Sequence, residues 1–88
     1  MNFDWDDANR KHVARHAIGQ EEAEDALLIE PSEFELQDHD REDRGLCFGR
    51  SRRGRLLTVF YTVRRGKTRV VTAYDMTKEQ QLLYFEGQ

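Results

Sequence analysis

Residues 45–74 constrain this chain more than any other stretch. Three runs rich in β-forming residues follow one another there: Gly45 to Ser51, Arg55 to Val63 and Thr68 to Tyr74. Two short glycine-containing turns, Arg52-Arg53-Gly54 and Arg64-Arg65-Gly66-Lys67, separate them. Runs this close pair antiparallel, because a parallel pair needs a long crossover between its strands. In the middle run Leu57, Val59, Tyr61 and Val63 point one way and Leu56, Thr58, Phe60 and Thr62 the other. Both sets are largely apolar, which marks a central strand covered by helices on at least one face.

The flanking segments supply those helices. Asn2 to Trp5 is short and aromatic and suits an edge strand. Asp6 or Asp7 can cap a helix running from about Ala8 to His16. Within it Asn9, His12 and His16 share a face. Gly19 breaks that pattern, and a second helix covers roughly Gln20 to Leu28, with Ala23, Ala26 and Leu27 as its inner stripe. Pro31 stops it. Glu33 to Gln37 alternates like a half-buried strand, and Asp38 to Arg44 is wholly polar and reads as a loop. Thr77 with Gln80 forms a capping-box pair that opens a last helix to about Phe85. The expected fold is α+β in one domain over 1–88: two N-terminal helices, a four-stranded, largely antiparallel sheet and a C-terminal helix.

Composition narrows the functional classes. The 88 residues carry 14 basic and 17 acidic side chains, a net charge of −3, so no overall basic excess draws the chain to nucleic acid. The charge is uneven, however. Most of the acid falls in residues 21–43, while Arg50, Arg52, Arg53, Arg55, Arg64, Arg65, Lys67 and Arg69 crowd residues 50–69. No helix has the basic polar face of a DNA-recognition helix. Cys47 is the sole cysteine, which rules out an intrachain disulfide and suits a buried, inert thiol. No signal peptide fits the acidic N-terminus and no apolar run is long enough to span a bilayer, so a cytoplasmic protein is expected, with no membrane partner. Phe3 and Trp5 read as core anchors, and Leu82-Leu83-Tyr84-Phe85 as a helix end that packs or meets a partner.

Several of these stretches together resemble one family. Trp5-Asp6, Asn9, His12, Arg15-His16 and Glu22 are similar to the N-terminal pattern of the BrnT-type toxins of bacterial toxin–antitoxin pairs. Gly49-x-Ser51 with Gly54-Arg55-Leu56 is similar to their central hairpin. Arg69-Val70-Val71-Thr72-Ala73, Asp75-Met76-Thr77 and Tyr84 are similar to their last strand and helix. The resemblance implies a RelE-like ribonuclease fold, a toxin that cuts RNA, and a small antitoxin partner with a ribbon-helix-helix DNA-binding domain. Two positions depart from the pattern. Tyr74 stands where many relatives carry Arg, and Gln80 where many carry Glu.

Cleavage of RNA through its own 2′-hydroxyl needs a base, an acid and a cation for the charge that develops at phosphorus. Histidine suits the proton transfers and arginine matches phosphate oxygens. The expected site therefore groups His12, Arg50, Arg69 and Tyr74 as catalytic residues, with Arg55 and His16 contacting RNA. His12 and His16 also have a plainer reading, in which they pack the first helix against the sheet. Their spacing would suit a metal, but no third ligand stands at a telling distance, so no metal or other cofactor is expected. Two functions stay open: a metal-independent endoribonuclease, and an inactive module on the same fold that binds an antitoxin-like partner or a second copy of itself as a homodimer.

Overall fold

The computed structural model describes residues 1–36 and 43–87. Eight elements follow in order: β1 (Asn2–Phe3), α1 (Asp7–Ala14), α2 (Gln20–Leu28), β2 (Ser32–Leu36), β3 (Asp43–Arg50), β4 (Leu56–Arg64), β5 (Lys67–Asp75) and α3 (Lys78–Glu86). The strands form one five-stranded sheet in the order β1-β5-β4-β3-β2. The expectation of four strands is thus one short. β1 adds to the far edge, parallel to β5, through Asn2↔Lys67 and Phe3↔Thr68. Two residues carry too little pattern to declare a partner so distant in the chain. The other pairings are antiparallel, as the turns require. Of the polar loop expected over 38–44, Asp43 and Arg44 belong to β3, and 38–42 lie outside the described residues along with Gln37.

Local chemistry explains where the elements stop. Arg65 and Gly66 both have positive φ, 51° and 75°, the geometry of a two-residue type I′ turn whose twist matches the β4–β5 hairpin. Asp6 caps α1, and Asn9 answers it by accepting from the Asp6 N–H at 2.8 Å. The helix ends at Ala14, earlier than expected. Ile18 N–H donates to Val13 O and Ala17 N–H to Ala14 O, with Ala17 at φ 56°. This Schellman-type stop brings Ile18 against Val13 in the core and leaves His16 beyond the last helical residue. His12 and His16 therefore do not share a helical face.

The two sheet faces are covered unequally. On one face Cys47, Leu57, Val59, Val70 and Ala73 pack under Val13, Ile18, Ala23, Ala26 and Leu27 of the α1–α2 layer. The approach is close at β3, where a Cβ on Gly49 would lie 1.8 Å from the Ala26 carbonyl oxygen. Cys47 donates to that same oxygen at 3.4 Å, and burial pushes its thiol up to about 12, so it is as inert as expected. Phe3 and Trp5 pack against this core, half-buried, and Trp5 Nε1 donates to Glu24 at 2.8 Å. On the other face α3 lays Tyr84 against Phe48 and Met76, with Leu46 and Leu56 beside them. α3 covers only this end of the sheet. Its outer side exposes Leu82, Leu83 and Phe85. Among the described residues no helix is long and apolar enough to cross a membrane.

Val59 has no exposed surface, whereas Val63 on the same strand is 37% exposed. Val59→Ala should cost roughly 2–3 kcal/mol and Val63→Ala well under 1. At about 4–8 °C of melting temperature per kcal/mol, a thermal melt separates them easily. Gly49→Ala should cost at least as much as Val59→Ala, because its methyl meets α2 backbone that must move as a unit. If Gly49→Ala melts with the wild type, α2 does not rest on β3.

Candidate active site

The structure distributes the six sequence-derived residues over four places. Arg50 pairs with Leu56 and Arg69 with Thr62, at opposite ends of β4. At about 3.3 Å per residue they are roughly 20 Å apart along the strand, so one phosphate cannot engage both. Arg50 also lies under the α3 end of the sheet, where it pairs with Glu30 at 3.2 Å. Arg69 is held by Asp6, with Nη1 3.0 Å from Oδ2 and Nη2 donating to Oδ1 at 3.1 Å, and by Asp4 at 3.7 Å. The hydrogen bond from Arg69 lowers the Asp6 carboxyl below its ordinary value. His12 sits half-buried on α1, whose deeply buried positions are Asn9 and Val13.

His16 and Tyr74 come together. The stop after α1 delivers His16, exposed, to the end of β5, where its ring centroid is 6.3 Å from that of Tyr74. Arg55 fixes this corner, and its role was missed in the sequence. Its guanidinium donates to Asp75 through Nε at 2.8 Å and Nη2 at 3.2 Å. It also donates to the carbonyls of Ala17 at 2.8 Å and His16 at 3.2 Å, and to Glu22 at 3.3 Å. Arg55 thus ties the start of β4, the end of β5, the α1–α2 turn and α2 together. With its donors engaged by the chain, it is a poor phosphate ligand and a good orienting residue for the His16 backbone. Those hydrogen bonds hold the Asp75 carboxyl below its ordinary value and raise Arg55 further.

Tyr74 faces α3 on its other side. Gln80 Nε2 donates to the Tyr74 hydroxyl at 3.2 Å, while Gln80 Oε1 accepts from Thr58 Oγ1 at 2.8 Å and from the Thr77 N–H at 3.0 Å. The two positions that depart from the resembled pattern therefore touch each other. The capping-box spacing identified Gln80 as the partner of Thr77. Nothing local could show that its remaining N–H group would reach across to a strand.

Beyond Tyr74 the sheet face is open. Phe60 lies next to it, ring centroids 6.2 Å apart. Past α3, Phe60, Thr62 and Thr72 floor a groove of about 640 Å³ with Arg44, Arg64 and Arg69 at its sides, while the Tyr61 ring packs on the opposite face against the α1–α2 core. At this point the register shifts: Phe60 pairs with Thr72 but Tyr61 with Val70, so Val71 is an extra residue that bends β5. Asn9 spans the irregularity by donating to the Val70 carbonyl at 3.0 Å. An aromatic ring, hydroxyls and arginines thus meet on one open surface. Among the described residues no cluster of three or more His, Cys, Asp or Glu side chains gathers as a metal site.

A family model described as the ribonuclease toxin BrnT of type II toxin–antitoxin systems matches residues 5–80. The match takes in α1, α2, the whole β2–β5 sheet and the Thr77–Gln80 cap of α3. No curated protein matches the chain.

The Arg55–Asp75 contact makes a pH-dependent contribution of known sign. A carboxyl depressed in the folded state binds its proton more readily in the unfolded one. Its contribution is complete above the ordinary value of 3.8 and is lost as pH falls through and below it. Asp75→Asn should therefore melt below the wild type at neutral pH, and the two curves should converge as the medium is taken below about pH 4. A constant gap across that range would mean that Asp75 is not paired in its ionised form.

Proposed function

The chain belongs to the BrnT family of ribonuclease toxins of type II toxin–antitoxin systems, and from that premise we propose that it is a metal-independent endoribonuclease whose substrate lies along the open half of the sheet. The observation that carries the reading is the uncovered groove, in which arginines flank the Phe60 ring beside the His16–Tyr74 corner. Arg69 stands about 15 Å along β5 from Tyr74, so it holds a neighbouring phosphate rather than the one that reacts. Arg44 and Arg64 belong to the same track.

In this reading the RNA 2′-oxygen attacks the adjacent phosphorus and His16 takes its proton, becoming the imidazolium cation beside the charge that develops at phosphorus. The bond from phosphorus to the 5′-oxygen breaks, and Tyr74 gives the leaving oxygen its proton. The products are a 2′,3′-cyclic phosphate and a 5′-hydroxyl, and exchange with water resets both side chains. Arg55 works at one remove, as the group that holds the His16 backbone beside Tyr74. His12, Arg50 and Arg55 drop out of the set of groups that meet the reacting atoms. The partner that restrains the toxin is an antitoxin, which we take to be a small protein with a ribbon-helix-helix DNA-binding domain.

A specific observation favours the second reading, an inactive module kept for binding. Arg55, the arginine built into the corner, directs its donors to the chain, and Arg69 is paired with two carboxylates. Cleavage assays separate the two. The purified chain should cut single-stranded RNA in excess chelator and leave cyclic phosphate ends. His16→Ala and Tyr74→Phe should each lower kcat by about 10²-fold or more. Arg69→Ala should instead raise KM and flatten the salt dependence, as expected for a group that only positions phosphate. Intact RNA after incubation with the wild type, together with normal growth and intact RNA on regulated expression in a bacterium, would sink the ribonuclease reading and leave the binding module.

A further inference from the structure

The Thr77 backbone decides which way the Gln80 amide faces. An N–H group can only donate, so the Gln80 atom 3.0 Å from it is the carboxamide oxygen. That oxygen also accepts the hydroxyl of Thr58, which is fully buried. The amide nitrogen is left to face the Tyr74 hydroxyl at 3.2 Å. An amide nitrogen donates and does not accept, so the phenol oxygen must be the acceptor of this bond. The Tyr74 hydroxyl hydrogen is then turned away from Gln80 and remains for a different acceptor.

We propose that Gln80 is a positioning residue for catalysis: by donating to the Tyr74 oxygen from the α3–sheet junction, it keeps the phenolic proton directed away from α3 and ready for transfer to the leaving 5′-oxygen of RNA. The proposal rests on the reading of Tyr74 as proton donor and goes further by naming what orients that donor. The device depends on a single atom. Glutamate at position 80 would accept from Thr77 and Thr58 as glutamine does, and would complete the same capping box. Its second carboxylate oxygen would accept from Tyr74 instead of donating to it, and would draw the proton inward. Exchange of one nitrogen for one oxygen thus reverses the hydrogen bond with little change of shape.

The test uses the purified full chain as wild type, Tyr74→Phe, Gln80→Glu and the double variant, with Gln80→Met as a second probe that can neither donate nor accept strongly. The first readout is the tyrosine Raman doublet, whose intensity ratio separates a phenol oxygen that accepts a hydrogen bond from one that donates. The wild-type minus Tyr74→Phe spectrum isolates Tyr74, and the Gln80→Glu minus double-variant spectrum isolates it in the substituted background. The expected result is an acceptor signature in the wild type and a donor signature in Gln80→Glu, with thermal melts showing both folded. The second readout is RNA cleavage. Gln80→Glu should lower kcat at least about tenfold with KM unchanged, Gln80→Met should fall between, and Gln80→Glu should cost nothing more once Tyr74 is replaced by Phe. A donor signature in the wild type, or no switch in folded Gln80→Glu, overturns the orientation. If Gln80→Glu does not fold, a Gln80→Met variant with full kcat overturns the proposal. A spectral switch with kcat intact overturns the catalytic role. A wild type that does not cleave RNA removes the role together with the reading beneath it, and the Raman result then still reports the hydrogen-bond direction.

Discussion

The Arg55 guanidinium is the interaction on which the arrangement of this molecule most depends. Arginine carries five N–H donors in a rigid plane, and here they reach β5, the α1–α2 turn and α2 from the first residues of the β4 hairpin arm. A lysine could satisfy one or two of these acceptors but not all of them. Two of the acceptors are carbonyls of the turn that ends α1, where the helix has no further N–H groups to offer them. The contact therefore completes the Schellman-type stop from outside and fixes the place of His16. Asn9 and Asp6 tie the start of α1 to β5 through Val70 and Arg69, and Arg55 adds the polar tie at the other end of that strand.

Unequal coverage of the sheet does the rest. The α1–α2 layer buries a continuous apolar face and comes close enough at Gly49 that only glycine fits. On the opposite face α3 is too short to cover five strands, so it shields the Phe48–Leu56 end and leaves the Phe60–Thr72 end exposed. The boundary between the two runs through Tyr74, which has Gln80 on one side and Phe60 on the other. A half-covered sheet is a simple way to make a functional surface. The covered half supplies stability, and the uncovered half can carry charged and aromatic groups that a core would not tolerate.

The positions at 74 and 80 act as one hydrogen-bonded unit. This chain carries there a phenol and a carboxamide that are hydrogen-bonded to each other. The junction joins complementary partners without a charge. Gln80 completes the α3 cap through Thr77 and binds Thr58, and Tyr74 beside it holds a transferable proton.

Much of this was legible in the sequence because it is local. The β3–β4–β5 meander followed from short turns, the central place of β4 from its apolar alternation, α2 from its stripe, and α3 from the Thr77–Gln80 pair. The buried, inert Cys47 followed from its place in a strand. The order of motifs also carried the family. What the sequence did not contain is what depends on distant pairing. β1 joined the sheet through two residues, and a bulge at Val71 moved the β5 side chains beyond it by one position. Arg50 and Arg69 looked alike as strand arginines, but the register sent them to opposite ends of β4. Arg55 looked like a phosphate ligand and became a clamp, because its acceptors lie on three other elements. Periodicity and capping are properties of neighbouring residues, so the sequence alone determined the elements and the fold class. Which side chains meet depends on register and on how far each helix extends over the sheet, and only the tertiary structure decided that.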